Sequence, residues 1–279
     1  MKIRLTAFFR IIRPINFLIT FFSAVVASII CTEGSLPTIK VILASISAGL
    51  TASAGNIIND IFDIEIDKVN RPNRPLPSKE ISLKEAYTFY FATVVVSVIF
   101  SILVSIPAFI IVTISHLLLF LYSKYLKRIP LTGNILVSFL TGLVFIFGGV
   151  VVENPIAAIV PAVVAFLINL IREIIKDMED VEGDKKAGIK TFPIQSGFKN
   201  SKILILIVTL FLMLFTLFPF ITRLYKIEFF ILVMIIVNPV LVYCIKILFE
   251  DHSTKSLKKV SNLLKLDMVI GLIAIYLGV

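Results

Sequence analysis

This 279-residue chain contains no tryptophan, two histidines and two cysteines, and each scarcity removes a class of chemistry. His116 is alone in an apolar run and His252 lies in a charged loop, so neither belongs to a His-Cys cluster or a Ser-His-Asp set. Neither looks catalytic, and His116 is expected to be a hydrogen-bonded interior residue. No glycine-rich phosphate loop occurs either. Cys31 and Cys244 sit in or beside apolar runs, where a thiol behaves as a small hydrophobe. Charge is also scarce, at 16% of residues against 58% hydrophobic. A soluble domain cannot hide that much apolar surface, so the class is all-α integral membrane protein. Without tryptophan, the interfacial aromatic belt falls to 24 Phe and 7 Tyr. The net charge of +9 is no nucleic-acid footprint, because the basic residues are confined to certain loops.

Apolar runs of spanning length occur near residues 14–31, 38–60, 86–106, 108–123, 132–152, 156–175, 202–221, 228–249 and 263–279. A span needs ~20 apolar residues, so the expectation is nine transmembrane helices in a single domain, 1–279. Ser82 and Glu85 form a capping box ahead of the third run. Pro107 separates the third run from the fourth, and Pro155 is expected to open the sixth. Asn238-Pro239 should kink the eighth. The basic, then apolar, N-terminal stretch is as long as a full span and has no small-residue cleavage site, so it reads as a retained first helix. With the N-terminus inside, only Lys40, Arg223 and Lys226 of the 27 Lys and Arg residues fall outside, leaving 24 on the cytoplasmic side. The positive-inside rule therefore predicts a multi-pass cell-membrane protein with a cytoplasmic N-terminus.

Against this apolar background two near-copies stand out. Residues 57–67 read IINDIFDIEID and residues 174–184 read IIKDMEDVEGD, identical at six of eleven positions. All three aspartates recur: Asp60, Asp63 and Asp67 against Asp177, Asp180 and Asp184. Their i, i+3, i+7 spacing puts each triplet on one face of a helix. Asn56 and Asn59 extend the first stripe; Asn169, Glu173 and Lys176 extend the second. Twelve of the eighteen acidic residues fall in 60–85 and 173–184. Like charges at this spacing repel, so something positive must offset them. Hard oxygen donors in pairs suit Mg²⁺, which takes a few carboxylates and completes its shell with substrate phosphate oxygens. Two such stripes, each at the cytoplasmic end of a span, make a cage for divalent cations and a diphosphate. Metal binding would turn that diphosphate into a better leaving group, and an allylic substituent would depart as a stabilised cation. The bilayer would supply a dry lateral pocket for its chain.

Basic residues border the stripes. Arg71-Pro72-Asn73-Arg74-Pro75-Leu76-Pro77-Ser78 follows the first, with prolines that stiffen the loop around Arg74. Lys127 and Arg128 follow the fourth run, and Lys176, Lys185, Lys186 and Lys190 border the second stripe. Arginine's planar fork matches phosphate oxygens, although positive-inside topology explains any single one of these residues equally well. Asp267, an acid near the start of the last run with Lys265 nearby, is expected to be structural.

At these residues the chain resembles the UbiA superfamily of intramembrane prenyltransferases. That family's first motif, NDxxDxxxD followed by an Arg-Pro element, matches Asn59, Asp60, Asp63, Asp67 and RPNRPLPS at 71–78; its DxxDxxxD motif matches Asp177, Asp180 and Asp184. The resemblance extends over nearly the whole chain, including RPIN at 13–16. It implies nine helices around a central cavity, with a cytoplasmic cap from loops 2–3 and 6–7. It implies Mg²⁺ held by Asp63, Asp67, Asp180 and Asp184, with Asn59, Asp60 and Asp177 also catalytic. It further implies substrate contacts from Arg74, Lys127, Arg128, Lys176, Asn16 and Asn134, and prenyl diphosphate and lipid acceptor substrates. The wording REIIKDMEDVEGDKKAGIKTFPI at 172–194 looks most like archaeal members that transfer a geranylgeranyl group to geranylgeranylglyceryl phosphate in ether-lipid synthesis. Aromatic-acceptor members, acting for example on 4-hydroxybenzoate, share the same motifs, so that alternative stays open.

A cation or secondary transporter also carries intramembrane acids and repeats. Its site would lie near the bilayer midplane on broken helices, whereas these acids follow ~20 apolar residues and sit at span ends. A phospho-alcohol transferase would need a DGxxAR signature, which is absent.

Overall fold

The computed structural model describes residues 2–32, 34, 38–186 and 188–279, and all regular structure among them is helical. The helices are α1 (Lys2–Ile11), α2 (Pro14–Cys31), α3 (Ile39–Phe62), α4 (Ile64–Asn70), α5 (Leu83–Val104), α6 (Ile106–Lys124), α7 (Thr132–Val151), α8 (Ile159–Glu179), α9 (Val181–Lys186), α10 (Phe192–Phe215), α11 (Phe218–Ile221), α12 (Ile227–Leu232), α13 (Asn238–Glu250) and α14 (Thr254–Gly278). A π-helical stretch, Val233–Val237, joins α12 to α13.

Among the described residues, eight helical segments are long and apolar enough to cross a membrane. The count of nine is not reproduced, because α8 stands outside that set. It is 21 residues long, but Arg172, Glu173, Lys176, Asp177 and Glu179 crowd its last turns. Its start also differs from expectation: Pro155 lies in a turn before α8, where Glu153 takes a left-handed backbone (φ 61°) and the Asn154 side chain donates to Cys31 O at 3.0 Å. The capping box is present, with Ser82 Oγ accepting from Glu85 N at 3.2 Å and the Glu85 carboxylate accepting from Ser82 N at 2.8 Å. The break at Asn238-Pro239 takes the form of the π-helical turn just before it, which relieves the clash of a mid-helix proline ring with the preceding turn.

The chain forms two compact units, residues 1–127 with 144–156 and residues 128–143 with 157–279. In the first, α3 packs against α2, α5 and α6. Lipid tails are as apolar as leucine, so such helices associate through close contact of small residues and through hydrogen bonds between helices. Ser47 donates to Ser97 O at 2.7 Å, and Ser97 Oγ lies 2.6 Å from His116 Nε2. His116 is thus a hydrogen-bonded interior residue, as expected. Gly148 is seated on α2, where a Cβ would come within 2.6 Å of Ala27 Cβ and 2.9 Å of Ala24 O, and Ser28 donates to Gly148 O at 3.1 Å. In the second unit α8 packs on α10 and α14, and α14 packs on α12 and α13. Here Gly142 and Gly278 make the close approaches, to Ala162 O and the Phe229 side chain. Large apolar side chains such as Leu103, Ile106, Leu214 and Ile235 remain exposed, as lipid-facing residues should.

The Gly148 contact has a testable consequence. Gly148→Val should lower thermal stability in detergent by ~1–3 kcal/mol, the range for overpacking a tight contact, whereas an unchanged melting temperature would mean the α2–α7 contact relaxes freely.

Candidate functional site

Each aspartate triplet was expected on one continuous helix, and neither is. Helix α3 ends at Phe62 and α4 begins at Ile64; α8 ends at Glu179 and α9 begins at Val181. The middle aspartate of each motif is the junction residue, with φ −98°, ψ 8° at Asp63 and φ −94°, ψ 5° at Asp180. Backbone bonds still run across both breaks, Asp67 N to Asp63 O at 2.7 Å and Asp184 N to Asp180 O at 2.9 Å. The chain therefore bends without losing register. Aspartate favours helix ends, where its side chain competes with the backbone, and a bend relieves the stacking of like charges.

In the first unit the motif is a closed ionic network. Asp60 and Asp67 are buried, at 2% and 5% exposure. Arg74 bridges them, Nη1 donating to Asp60 Oδ1 at 3.1 Å and to Asp67 Oδ2. Arg13 adds a second guanidinium to Asp60 Oδ1 and donates to Asn56 Oδ1 at 3.3 Å. Lys127 Nζ pairs with Asp63 Oδ1 and reaches Asn59 Oδ1 at 3.3 Å, while Asn59 Nδ2 donates to Asp63 Oδ2 at 2.8 Å. Asn16 sits at the margin, donating to Asn56 Oδ1 at 3.4 Å.

The Pro-rich loop reaches this network because its own apolar residues are anchored: Pro75, Leu76 and Ile81 are buried, the last two in a cluster with Ile57, Ile58 and Ile61 of α3. Arg10 clamps the loop from α1, donating to Glu80 at 2.9 and 3.0 Å and to Asn73 O. Arg13 was not foreseen as a site residue. It takes a left-handed backbone (φ 53°) between α1 and α2, and no local pattern announces that conformation. Burial pulls its guanidinium below the usual arginine range, opposed by Asp60 and reinforced by Arg74 and Arg71.

In the second unit amides and hydroxyls replace the cations. Asn134 Nδ2 donates to Asp177 Oδ2 at 2.8 Å, Ser138 Oγ to Asn134 O at 2.6 Å, and Asn169 Nδ2 to Ser138 Oγ at 3.3 Å. Lys176 does not meet an aspartate. It pairs with Glu173 at 2.9 and 3.0 Å, and Arg172 joins the same carboxylate at 2.8 Å. Asp180 and Arg128 are exposed and Asp184 is half-buried. Asp267 is wholly buried, and neither carboxylate oxygen has a partner among the described residues; Lys265 turns instead to Asn262 at 3.5 Å.

The donor set suits a hard cation: carboxylates and an amide, with no thiol or imidazole beside them. Among the described residues no group of three His, Cys, Asp or Glu side chains is close enough to hold a metal ion unaided.

A bundle of membrane-length helices carrying two duplicated aspartate motifs, one of them paired with arginine and lysine, defines the class as integral membrane protein. Residues 20–266 match the UbiA prenyltransferase family, and the chain belongs to it. It is 34% identical over 271 residues to the digeranylgeranylglyceryl phosphate synthase of Methanosphaera stadtmanae, covering 97% of this chain and 98% of that one. A solved structure from work on digeranylgeranylglyceryl phosphate synthase in membranes superposes with a TM-score of 0.85 at 33% identity, covering 100% of this chain and 99% of the other. A UbiA homolog from Archaeoglobus fulgidus, solved bound to GPP and Mg²⁺, shares the fold at 17% identity with a TM-score of 0.65, covering 96% and 99%.

Removing one partner from a buried ionic network leaves the other charge stranded. Arg74→Ala should therefore destabilise the protein by ~3–5 kcal/mol, read as a lower melting temperature in detergent, with Arg74→Lys intermediate. Equal melting of Arg74→Ala and wild type would show that Asp60 and Asp67 do not depend on the bridge.

Proposed function

We propose that the chain transfers a geranylgeranyl group from geranylgeranyl diphosphate to the free hydroxyl of geranylgeranylglyceryl phosphate, the step that builds the second ether-linked chain of an archaeal lipid. The observation carrying this reading is the identity of 34% along nearly the full length of an enzyme named for that product. The archaeal wording of residues 172–194 supports it. On the positive-inside count the site faces the cytoplasm, with the N-terminus on the same side.

Asp63 and Asp67 of the first unit, and Asp180 and Asp184 of the second, would hold Mg²⁺. When bound, that ion supplies charge neutralisation to a diphosphate leaving group. Asn59 orients Asp63 through its 2.8 Å bond, Asn134 does the same for Asp177, and Asp60 anchors Arg74 and Arg13. Arg74 and Lys127, already standing against the motif carboxylates, bind diphosphate oxygens as charge-assisted donors. Arg128 and Lys176 would receive the acceptor's phosphate, Lys176 by exchanging its bond to Glu173, and Asn16 would contact substrate. Ionisation breaks the allylic carbon–oxygen bond, and the electron pair leaves with diphosphate. The acceptor hydroxyl then attacks the allylic carbon and loses its proton late, so no strong general base is required. The apolar helix walls exclude the water that would otherwise capture the cation.

Asp63→Asn and Asp180→Asn should each abolish transfer while the purified protein stays folded, because a ligand is lost and Asn preserves the shape. Turnover at the wild-type rate by either variant would remove that residue from the site. Chelation by EDTA should stop product formation from geranylgeranyl diphosphate and geranylgeranylglyceryl phosphate, and added Mg²⁺ should restore it. Product with 4-hydroxybenzoate alone would keep the mechanism and reassign the acceptor, and activity surviving thorough chelation would refute the metal requirement.

A further inference from the structure

Away from the aspartate motifs, the second unit carries a groove of about 560 Å³ lined by Met213, Met234, Asn238, Pro239, Val242, Tyr243 and Lys246. It exists because the chain departs from regular α-helix there. The π-helical turn Val233–Val237 and Pro239 behind it interrupt the even packing of side chains facing Met213 on α10. The amide oxygen of Asn238, itself buried, has no hydrogen-bond partner among the described residues, and its Nδ2 reaches only the Met234 sulfur at 3.7 Å.

One end of the groove is apolar and the other is cationic. Lys246 is exposed at the charged end. Lys259, from α14, reaches the same place by donating to the Tyr243 hydroxyl at 3.0 Å and lying 5.2 Å from the centre of its ring. That hydroxyl accepts from Lys259, so its own proton is left to donate. Lys246 and Tyr243 thus line the trough, and Lys259 stands against the Tyr243 hydroxyl. Two acids stand nearby: Glu250 is 3.8 Å from Lys246 with both side chains exposed, and Asp251 accepts from Ser253 and Ser256. Between residues 246 and 259 four lysines face these two acids.

We propose that this groove binds one anionic phospholipid of the surrounding bilayer, its phosphate held by Lys246, Lys259 and the Tyr243 hydroxyl and one chain lying along Val242, Pro239 and Met234. The dimensions agree. Twelve residues separate Met234 from Lys246, about 18 Å of helix at ~1.5 Å per residue, which is close to one leaflet of a ~30 Å hydrocarbon core. Ammonium groups at the membrane surface attract phosphate headgroups, and methionine adapts to a flexible chain. A second copy of the same face is disfavoured, because a two-fold contact would set lysines against lysines.

Native mass spectrometry of the full-length protein, offered equal phosphatidylglycerol and phosphatidylcholine, tests the assignment. Wild type should retain one phosphatidylglycerol in preference, and the double variant Lys246→Gln/Lys259→Gln should lose that preference by about fivefold per lysine removed. Val242→Trp, which fills the trough and leaves both lysines, should lower retention of the same lipid. All three side chains are exposed, so lipid-free melting temperatures should stay unchanged. A phosphatidylglycerol carrying a photoreactive diazirine in its chain should label residues 234–246. No preference in wild type, equal retention by the double variant, or labelling confined to other segments would each overturn the proposal.

Discussion

A carboxylate on a helix emerging from hydrocarbon keeps its charge only while a cation or a set of hydrogen-bond donors stands against it. In the first unit three aspartates meet three cations, Arg13, Arg74 and Lys127, and the surrounding structure serves to deliver those cations. The Pro-rich loop is pinned by Leu76 and Ile81 so that Arg74 points inward, and Arg10 holds the same loop from outside. Arg13 accepts a left-handed backbone, a conformation that costs roughly 1–3 kcal/mol, and is held there by Asp60 and Asn56. The strain sits where the charge must be placed.

The second motif repeats the aspartates without repeating the solution. Asp177 rests on the Asn134 amide, backed by Ser138 and Asn169, while the local cations Arg172 and Lys176 are taken up by Glu173. Asp180 is left exposed at the helix junction. One duplicated motif therefore carries its neutralising charge with it, and the other offers carboxylate more openly.

Helix packing follows a different constraint, because no hydrophobic force drives helices together in lipid. The first unit relies on Gly148 against Ala24 and Ala27 and on serines that bond across helices; the second uses Gly142 and Gly278 at its closest approaches. These small residues let the helix backbones approach closely. Bulky aliphatic residues such as Leu103, Ile106, Leu214 and Ile235 face outward.

Much was legible in the residues alone. The membrane class, most of the spans, the capping box at Ser82 and the two aspartate motifs all come from local pattern, since hydropathy and helical spacing act over a few turns. The partners of the aspartates were only partly visible: Arg74 and Lys127 could be named as basic neighbours, but not as the bridge of Asp60 to Asp67 or the mate of Asp63. Arg13 was missed, and Lys176 turned to Glu173. Both helix breaks, at Asp63 and Asp180, also escaped the spacing, because i, i+3, i+7 fits a bent helix as well as a straight one. The sequence by itself determined which groups are present and on which segment. Only the tertiary structure decided which of them meet, because pairing depends on contacts between residues as far apart as Asp63 and Lys127, set by how helices and a proline-stiffened loop pack.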